Sequence, residues 1–183
     1  IPSTSAVTPY SNVRPGETIT ITGTDLDLIK TLSIPGDNSS TTFTVNTAKT
    51  TITATLPSNV KDGTIILTTY SGIAINVTTN LVVASPGITS ITPNPVKNGS
   101  EMTIKGTNLD LIQDITFANI SSAVTVFNSK TATEIKVTVP ETAQTGTLSL
   151  NAASGKTASA AYTLVQPSVS STSTPIVGGQ SLT

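Results

Sequence analysis

Hydrophobic and polar residues alternate along this chain in short runs. Between Gly16 and Gly23 the sequence reads Glu-Thr-Ile-Thr-Ile-Thr, so Ile19 and Ile21 share one face while Thr18, Thr20 and Thr22 share the other. Side chains on an extended strand point to opposite faces in turn, so this is the signature of a strand with one face buried. The same period recurs at Leu32 and Ile34, at Ile52, Ala54 and Leu56, and at Ile65 and Leu67, with Leu81 in a last strand. Gly, Pro, Asn and Asp separate the runs, as turns between strands require. No segment carries the 3.6-residue period of an amphipathic helix. The pattern predicts an all-β chain.

The pattern is then written a second time. Gly16–Ile29 matches Gly99–Ile112, with Gly106 following Gly23 by 83 positions (106 − 23). The same offset carries Pro57 onto Pro140, Gly63 onto Gly146 and Gly72 onto Gly155. From 16–72 against 99–155, 20 of 57 positions are identical without a gap, too many glycines and prolines in phase for a coincidence of composition. The second copy places Met102, Ile104, Ile115, Phe117, Ile135, Val137, Val139, Leu148 and Leu150 at core positions, with Leu164 in its last strand. Gly179–Thr183 repeats the start of the motif once more.

The predicted organisation is a linear array of immunoglobulin-like β-sandwiches. It comprises residues 1–85, residues 86–166, and the cut-off start of a third repeat over 167–183. About seven strands in roughly 80 residues is the count of a small sandwich. The antibody-type tryptophan and cysteine pair are absent. The joints, Ser85-Pro86-Gly87 and Gln166-Pro167, are short and contain proline, which predicts a semi-rigid string of domains. The chain starts at Ile1 without a signal peptide and is read as a piece of a longer protein.

Composition narrows the chemistry. Charged residues make up 10% of the chain, against roughly 25% in an average soluble protein. Net charge is −1 and Arg14 is the only arginine, which disfavours nucleic acid as a partner. There is no cysteine, hence no disulfide, thiolate metal site or cysteine nucleophile. There is no histidine, which removes the commonest general base and metal ligand. No apolar run approaches the ~20 residues of a membrane-spanning helix. Phosphate-loop and nucleophile-elbow motifs are missing. No enzyme activity and no cofactor are expected.

What remains is a short roll of candidates. The ten carboxylates offer material for a glycosidase pair, but several recur between the copies and no aromatic floor accompanies them. Asp25 with Asp27, and Asn108 with Asp110, have a spacing that suits oxygen ligation of calcium. One such pair falls short of the six to eight oxygens calcium takes, so Asp25 and Asn108 are read instead as turn residues capping nearby backbone N–H groups. Sugar platforms use exposed aromatic faces, for which Tyr10 and Tyr70 are candidates. Tyr162 precedes a last-strand apolar pair and is expected in the core.

The sequence Ile91-Thr92-Pro93, then Gly99, then Thr103-Ile104-Lys105-Gly106-Thr107-Asn108-Leu109 resembles the IPT/TIG family of Ig-like domains. The first copy shows the same signature in Val7-Thr8-Pro9, Gly16 and Gly23-Thr24-Asp25-Leu26. The extensions Asp27-Leu28-Ile29 and Asp110-Leu111-Ile112, with Thr138–Leu148 and Gly63–Gly72, are similar to tandem repeats of surface glycan-binding lipoproteins in Bacteroidetes polysaccharide-utilisation systems. That resemblance implies a non-catalytic spacer that presents a distal polysaccharide-binding domain, lipid-anchored on the outward face of the outer membrane. It implies partners in a TonB-dependent transporter and its glycan-binding lipoprotein. The alternatives are a stalk of a bacterial adhesin or phage fibre, and an accessory region of a secreted glycoside hydrolase.

Overall fold

The computed structural model describes residues 1–37 and 39–168. The expected start of a third repeat at Gly179–Thr183 lies outside the described residues.

In the first repeat, β1 (Ser3–Thr8), β3 (Thr18–Thr24), β6 (Thr51–Thr55) and β5 (Phe43–Val45) form one sheet in that spatial order. The second layer is β4 (Ile29–Ser33), β7 (Ile66–Thr69) and β8 (Ala74–Asn76). Two further short strands, β2 (Ser11–Val13) and β9 (Val82–Val83), pair in parallel beside them. In the second repeat, β10 (Gly87–Thr92), β11 (Glu101–Thr107), β14 (Glu134–Thr138) and β13 (Ser129–Lys130) face β12 (Ile112–Thr116), β15 (Gly146–Ala152) and β16 (Thr157–Tyr162). Here a single parallel bridge, Val96 to Leu164, stands where β2 and β9 pair in the first repeat.

Two separate cores follow from the alternation. One runs from Val7 to Val83 and the other from Val96 to Leu164. Ile21 lies opposite Ile52 in the first repeat, and Ile104 opposite Ile135 in the second, so each strand pair turns its β-branched residues to the same interior. Every core residue expected from the alternation is buried, Ala54 being the most exposed of those in the first repeat at 4%. Tyr162 is also in the core, edge-on to Phe117 with ring centroids 5.6 Å apart.

The motif glycines have distinct tasks. Gly23 and Gly106 lie where a bulge in the first strand brings a neighbouring backbone close. A Cβ on Gly23 would collide with the Ser3 carbonyl oxygen, and one on Gly106 with that of Gly87. Gly16 and Gly99 take φ of 79° and 73°, which an L side chain adopts only at a cost. The sequence showed no helix, and the structure adds only single 3-10 turns at Leu26–Leu28 and Leu109–Leu111. Each buries its first leucine and turns the chain from one sheet into the other.

Candidate functional site

The joint between the repeats is packed. Pro86 and Ala84 are buried, and the Ala84 N–H donates to the Val13 carbonyl at 2.9 Å. Arg14 reaches from the first repeat to the second. One guanidinium nitrogen donates to Asn108 Oδ1 at 2.6 Å, and the other pairs with the Asp110 carboxylate. Asn108 in turn donates from Nδ2 to the Ser85 carbonyl at 2.9 Å, so one side chain holds both the linker and the arginine. The planar fork of an arginine suits such a two-point contact.

A second pair closes the joint. The Lys156 ammonium of the second repeat bonds Asp62 of the first, whose other carboxylate oxygen accepts the Val83 N–H at 2.8 Å. Burial pushes the Asp62 carboxyl up, but the bonds from Lys156 and Val83 outweigh it and hold it below the ordinary aspartate value. Between the two pairs, Pro15, Ser58 and Val83 stand against Leu111 and Ala152–Ser154 around a cavity of about 240 Å³.

This geometry revises the reading of the Asp/Asn pairs. Asp25 and Asn108 do sit at the turn, but neither side chain caps it. Their backbones are left-handed, with φ of 51° and 53°, a conformation Asp and Asn tolerate better than most residues. The turn is made by the main chain, and the side chains are free to bind cations. Asn108 and Asp110 take Arg14, Asp27 takes Lys49 at 2.9 Å, and Asp25 takes the Ile1 ammonium at 3.2 Å. Among the described residues, no group of three or more Asp and Glu is placed to hold a metal ion.

Four of the other carboxylates are engaged in local structure. Glu17 accepts the Arg14 N–H at 2.9 Å, Asp114 accepts Asn151 Nδ2 at 2.6 Å, and Glu101 accepts Asn128 Nδ2 at 2.8 Å. Asp37 accepts the Ser39 N–H and hydroxyl, bonds that hold its carboxyl below the usual range. A general acid needs the opposite shift.

The tyrosines divide as follows. Tyr10 is 49% exposed between β1 and β2, and its carbonyl accepts the Val82 N–H at 2.7 Å. Tyr70 is 72% exposed, at the hairpin turn between β7 and β8. It borders an apolar hollow of about 340 Å³ shared with Leu28, Ile73 and Ile75. Tyr10 does not line that hollow. An open groove of about 650 Å³ runs along β5 and β6, lined by threonines and the half-buried Phe43. Sequence reasoning missed the joint residues Arg14, Asp62 and Lys156. The one available signal was that Arg14 is the sole arginine.

Residues 86–166 match the family model of the IPT/TIG domain. This segment belongs to the IPT/TIG family. The first repeat, with the same sheet order and motif glycines, is built on the same plan as this IPT/TIG domain. No curated protein matches the chain. Among solved structures it is similar to SGBP-B of the Bacteroides ovatus mixed-linkage glucan utilization locus, solved with a mixed-linkage heptasaccharide. That match has 22% identity over 85% of this chain and 40% of that one, with a TM-score of 0.36. The surface glycan-binding protein PbSGBP-B of Prevotella bryantii gives 19% identity over 88% and 41%, with a TM-score of 0.43. The gamma-CGTase of alkalophilic Bacillus clarkii gives 16% over 89% and 26%, with a TM-score of 0.38. The chain spans about two fifths of the length of the two glycan-binding proteins.

Proposed function

We propose that these repeats are a non-catalytic spacer that holds a distal glycan-binding region at a fixed distance and angle. The observation that carries the reading is the two-point clamp at the joint, Arg14 on Asn108 and Asp110 and Lys156 on Asp62. A freely hinged pair of sandwiches has no need of cations aimed across a proline linker. The carboxylates support the same reading, because those with partners serve turns and ion pairs. The boundaries we assign are residues 1–85 and 86–166, with a third repeat from residue 167.

The glycan context rests on the sequence resemblance to surface glycan-binding lipoproteins of polysaccharide utilisation. In this reading the whole protein is lipid-anchored at the outer face of the outer membrane. It works beside a TonB-dependent transporter and its glycan-binding lipoprotein partner, and its sugar site lies beyond these repeats. Tyr10 and Tyr70 then have no glycan role, and Asp25, Asp27, Asn108 and Asp110 hold no metal.

Isothermal titration of the 183-residue chain with mixed-linkage glucan and xyloglucan tests this. No heat of binding is expected at millimolar sites. Sub-millimolar binding would overturn the spacer reading and return Tyr70 or Tyr10 to the position of a sugar site.

A further inference from the structure

The two repeats present equivalent faces toward their N-terminal side, and in the structure only one is covered. In the second repeat that face is Leu111 with the hairpin turn Ala152-Ala153-Ser154, and the first repeat stands on it. In the first repeat Leu28 takes the place of Leu111, and Thr69-Tyr70-Ser71 takes that of Ala152-Ala153-Ser154. The hairpins have the same register. Thr69 N–H donates to the Ile73 carbonyl at 2.9 Å, as Ala152 N–H does to the Lys156 carbonyl at 3.0 Å. Leu28, Tyr70 and Ile73 are 47%, 72% and 56% exposed.

We propose that this face is a second joint, and that its occupant is a β-sandwich domain preceding Ile1 in the same polypeptide. The first reason is positional. The same surface of the same fold is already a docking face one repeat further on. The second is chemical. Where the covered face has Ala153 and Lys156, this one has Tyr70 and Ile73, so a larger contiguous apolar surface is gained by covering it. The third is electrostatic. Asp25 and Asp27 replace Asn108 and Asp110, the residues that receive Arg14. Lys49 satisfies Asp27, whereas Asp25 is held by the Ile1 ammonium, at the place where Ser85 meets Asn108. In a polypeptide that runs through Ile1, that nitrogen is an uncharged amide and Asp25 is left for another cation. The occupant therefore presents a Lys or Arg toward Asp25 and an apolar side chain toward Ile73, where Asp62 meets Lys156 at the described joint.

A sugar suits this hollow poorly. Two of its three polar side chains, Thr69 and Ser71, are turned on each other: their hydroxyls bond at 2.9 Å while Thr69 Oγ1 also accepts the Ile73 N–H at 3.0 Å. That leaves the Tyr70 phenol as the remaining polar side-chain group of the lining.

The proposal rests on reading the Arg14 joint as a fixed contact, and hydroxyl-radical footprinting separates the two. The natural chain carrying the sequence upstream of Ile1 is compared with the 183-residue chain. Several-fold lower modification of Leu28, Tyr70 and Ile73 is expected in the longer chain, with Tyr10 unchanged. Ile73→Lys in the longer chain is expected to restore labelling of Tyr70, while leaving the unfolding midpoint of the 183-residue chain unchanged. Leu111, the counterpart of Leu28 at the described joint, is the internal control. Full labelling of Leu111 sinks the joint reading itself. Protection of Leu111 with equal labelling of Tyr70 in both chains sinks this proposal alone. Protection of Tyr70 in the 183-residue chain that grows with its concentration, or with added mixed-linkage glucan, also overturns it by assigning the face to a second copy or to a glycan.

Discussion

Arg14, in the first repeat, bonds the carboxylate of Asp110 in the second, across 96 residues of sequence. Both side chains are about a third exposed, so solvent screens the pair and its contribution to stability is small, about 1 kcal/mol or less. Its effect is on geometry. Arg14→Ala is expected to leave both cores intact and to shift the thermal midpoint little, while broadening the distribution of distances between the repeats. Arg14→Lys keeps the charge but loses the fork that reaches Asn108 and Asp110 together, so it should restore the narrow distribution only in part. Raising salt should widen the distribution of the natural chain toward that of Arg14→Ala.

Asp62 gives the joint a dependence on acid. Its carboxyl is held below the ordinary value of 3.8, so the folded state favours the ionised form more than the unfolded chain does. A depressed folded pKa contributes stability that is present in full above the unfolded value and is lost as pH falls through the folded one. The joint should therefore hold at neutral pH and loosen as pH drops below about 3.8. Thermal unfolding and distance distributions across pH 2–7, for the natural chain and Asp62→Asn, check this as an order-of-magnitude effect. The variant should show a weaker joint at neutral pH and a flatter acid limb. An acid limb as steep in Asp62→Asn as in the natural chain would assign the dependence to other carboxylates.

The motif glycines differ in what they tolerate. At Gly106 a methyl group meets the Gly87 carbonyl, which is backbone in a paired strand and has nowhere to go. Gly106→Ala should cost about 1–3 kcal/mol or more in urea unfolding, in the range of an overpacked core. At Gly16 the space is open and only the left-handed φ is at issue. Gly16→Ala should cost about 1–2 kcal/mol. A cost below about 1 kcal/mol for Gly106→Ala would contradict the close approach.

Tyr162 buries its hydroxyl, and burial pushes its pKa up; the Ala118 backbone lies close enough to offset this in part, but no hydrogen bond of normal geometry reaches the hydroxyl among the described residues. The ring, edge-on to Phe117, does the packing. Tyr162→Phe should be neutral or stabilising by about 1 kcal/mol in urea unfolding, because an unsatisfied buried polar group is removed and the shape is kept. Tyr162→Ala should cost about 3–5 kcal/mol through the cavity it leaves. A loss of more than about 1 kcal/mol in Tyr162→Phe would mean that the hydroxyl is satisfied.

The strands and both cores were legible because a strand with one buried face must alternate, and Ile19, Ile21, Met102 and Ile104 obey that rule with nothing competing. The repeat made the same reading twice. The joint was not legible. Arg14, Asp62 and Lys156 do not recur in the other copy, where Lys97, Thr145 and Ile73 stand instead. Their partners are long-range and leave no periodic trace. The Asp25 and Asn108 turns were placed rightly and their side chains wrongly, because spacing shows that a turn is needed but not whether backbone or side chain makes it. The exposed face of Leu28, Tyr70 and Ile73 was hidden for the same reason: Leu28 lies within the motif, and its meaning depends on what stands against it.

The central claim is that the joint is fixed. The chain has no cysteine, so Thr44→Cys on β5 and Ser122→Cys in the second repeat accept spin labels without background. Double electron–electron resonance between them reads the distance distribution directly. A single narrow distribution, broadened when Arg14→Ala and Asp62→Asn are combined, is the expected result. A broad distribution in the natural chain, unchanged by those substitutions, would contradict the account and leave the repeats as independent beads.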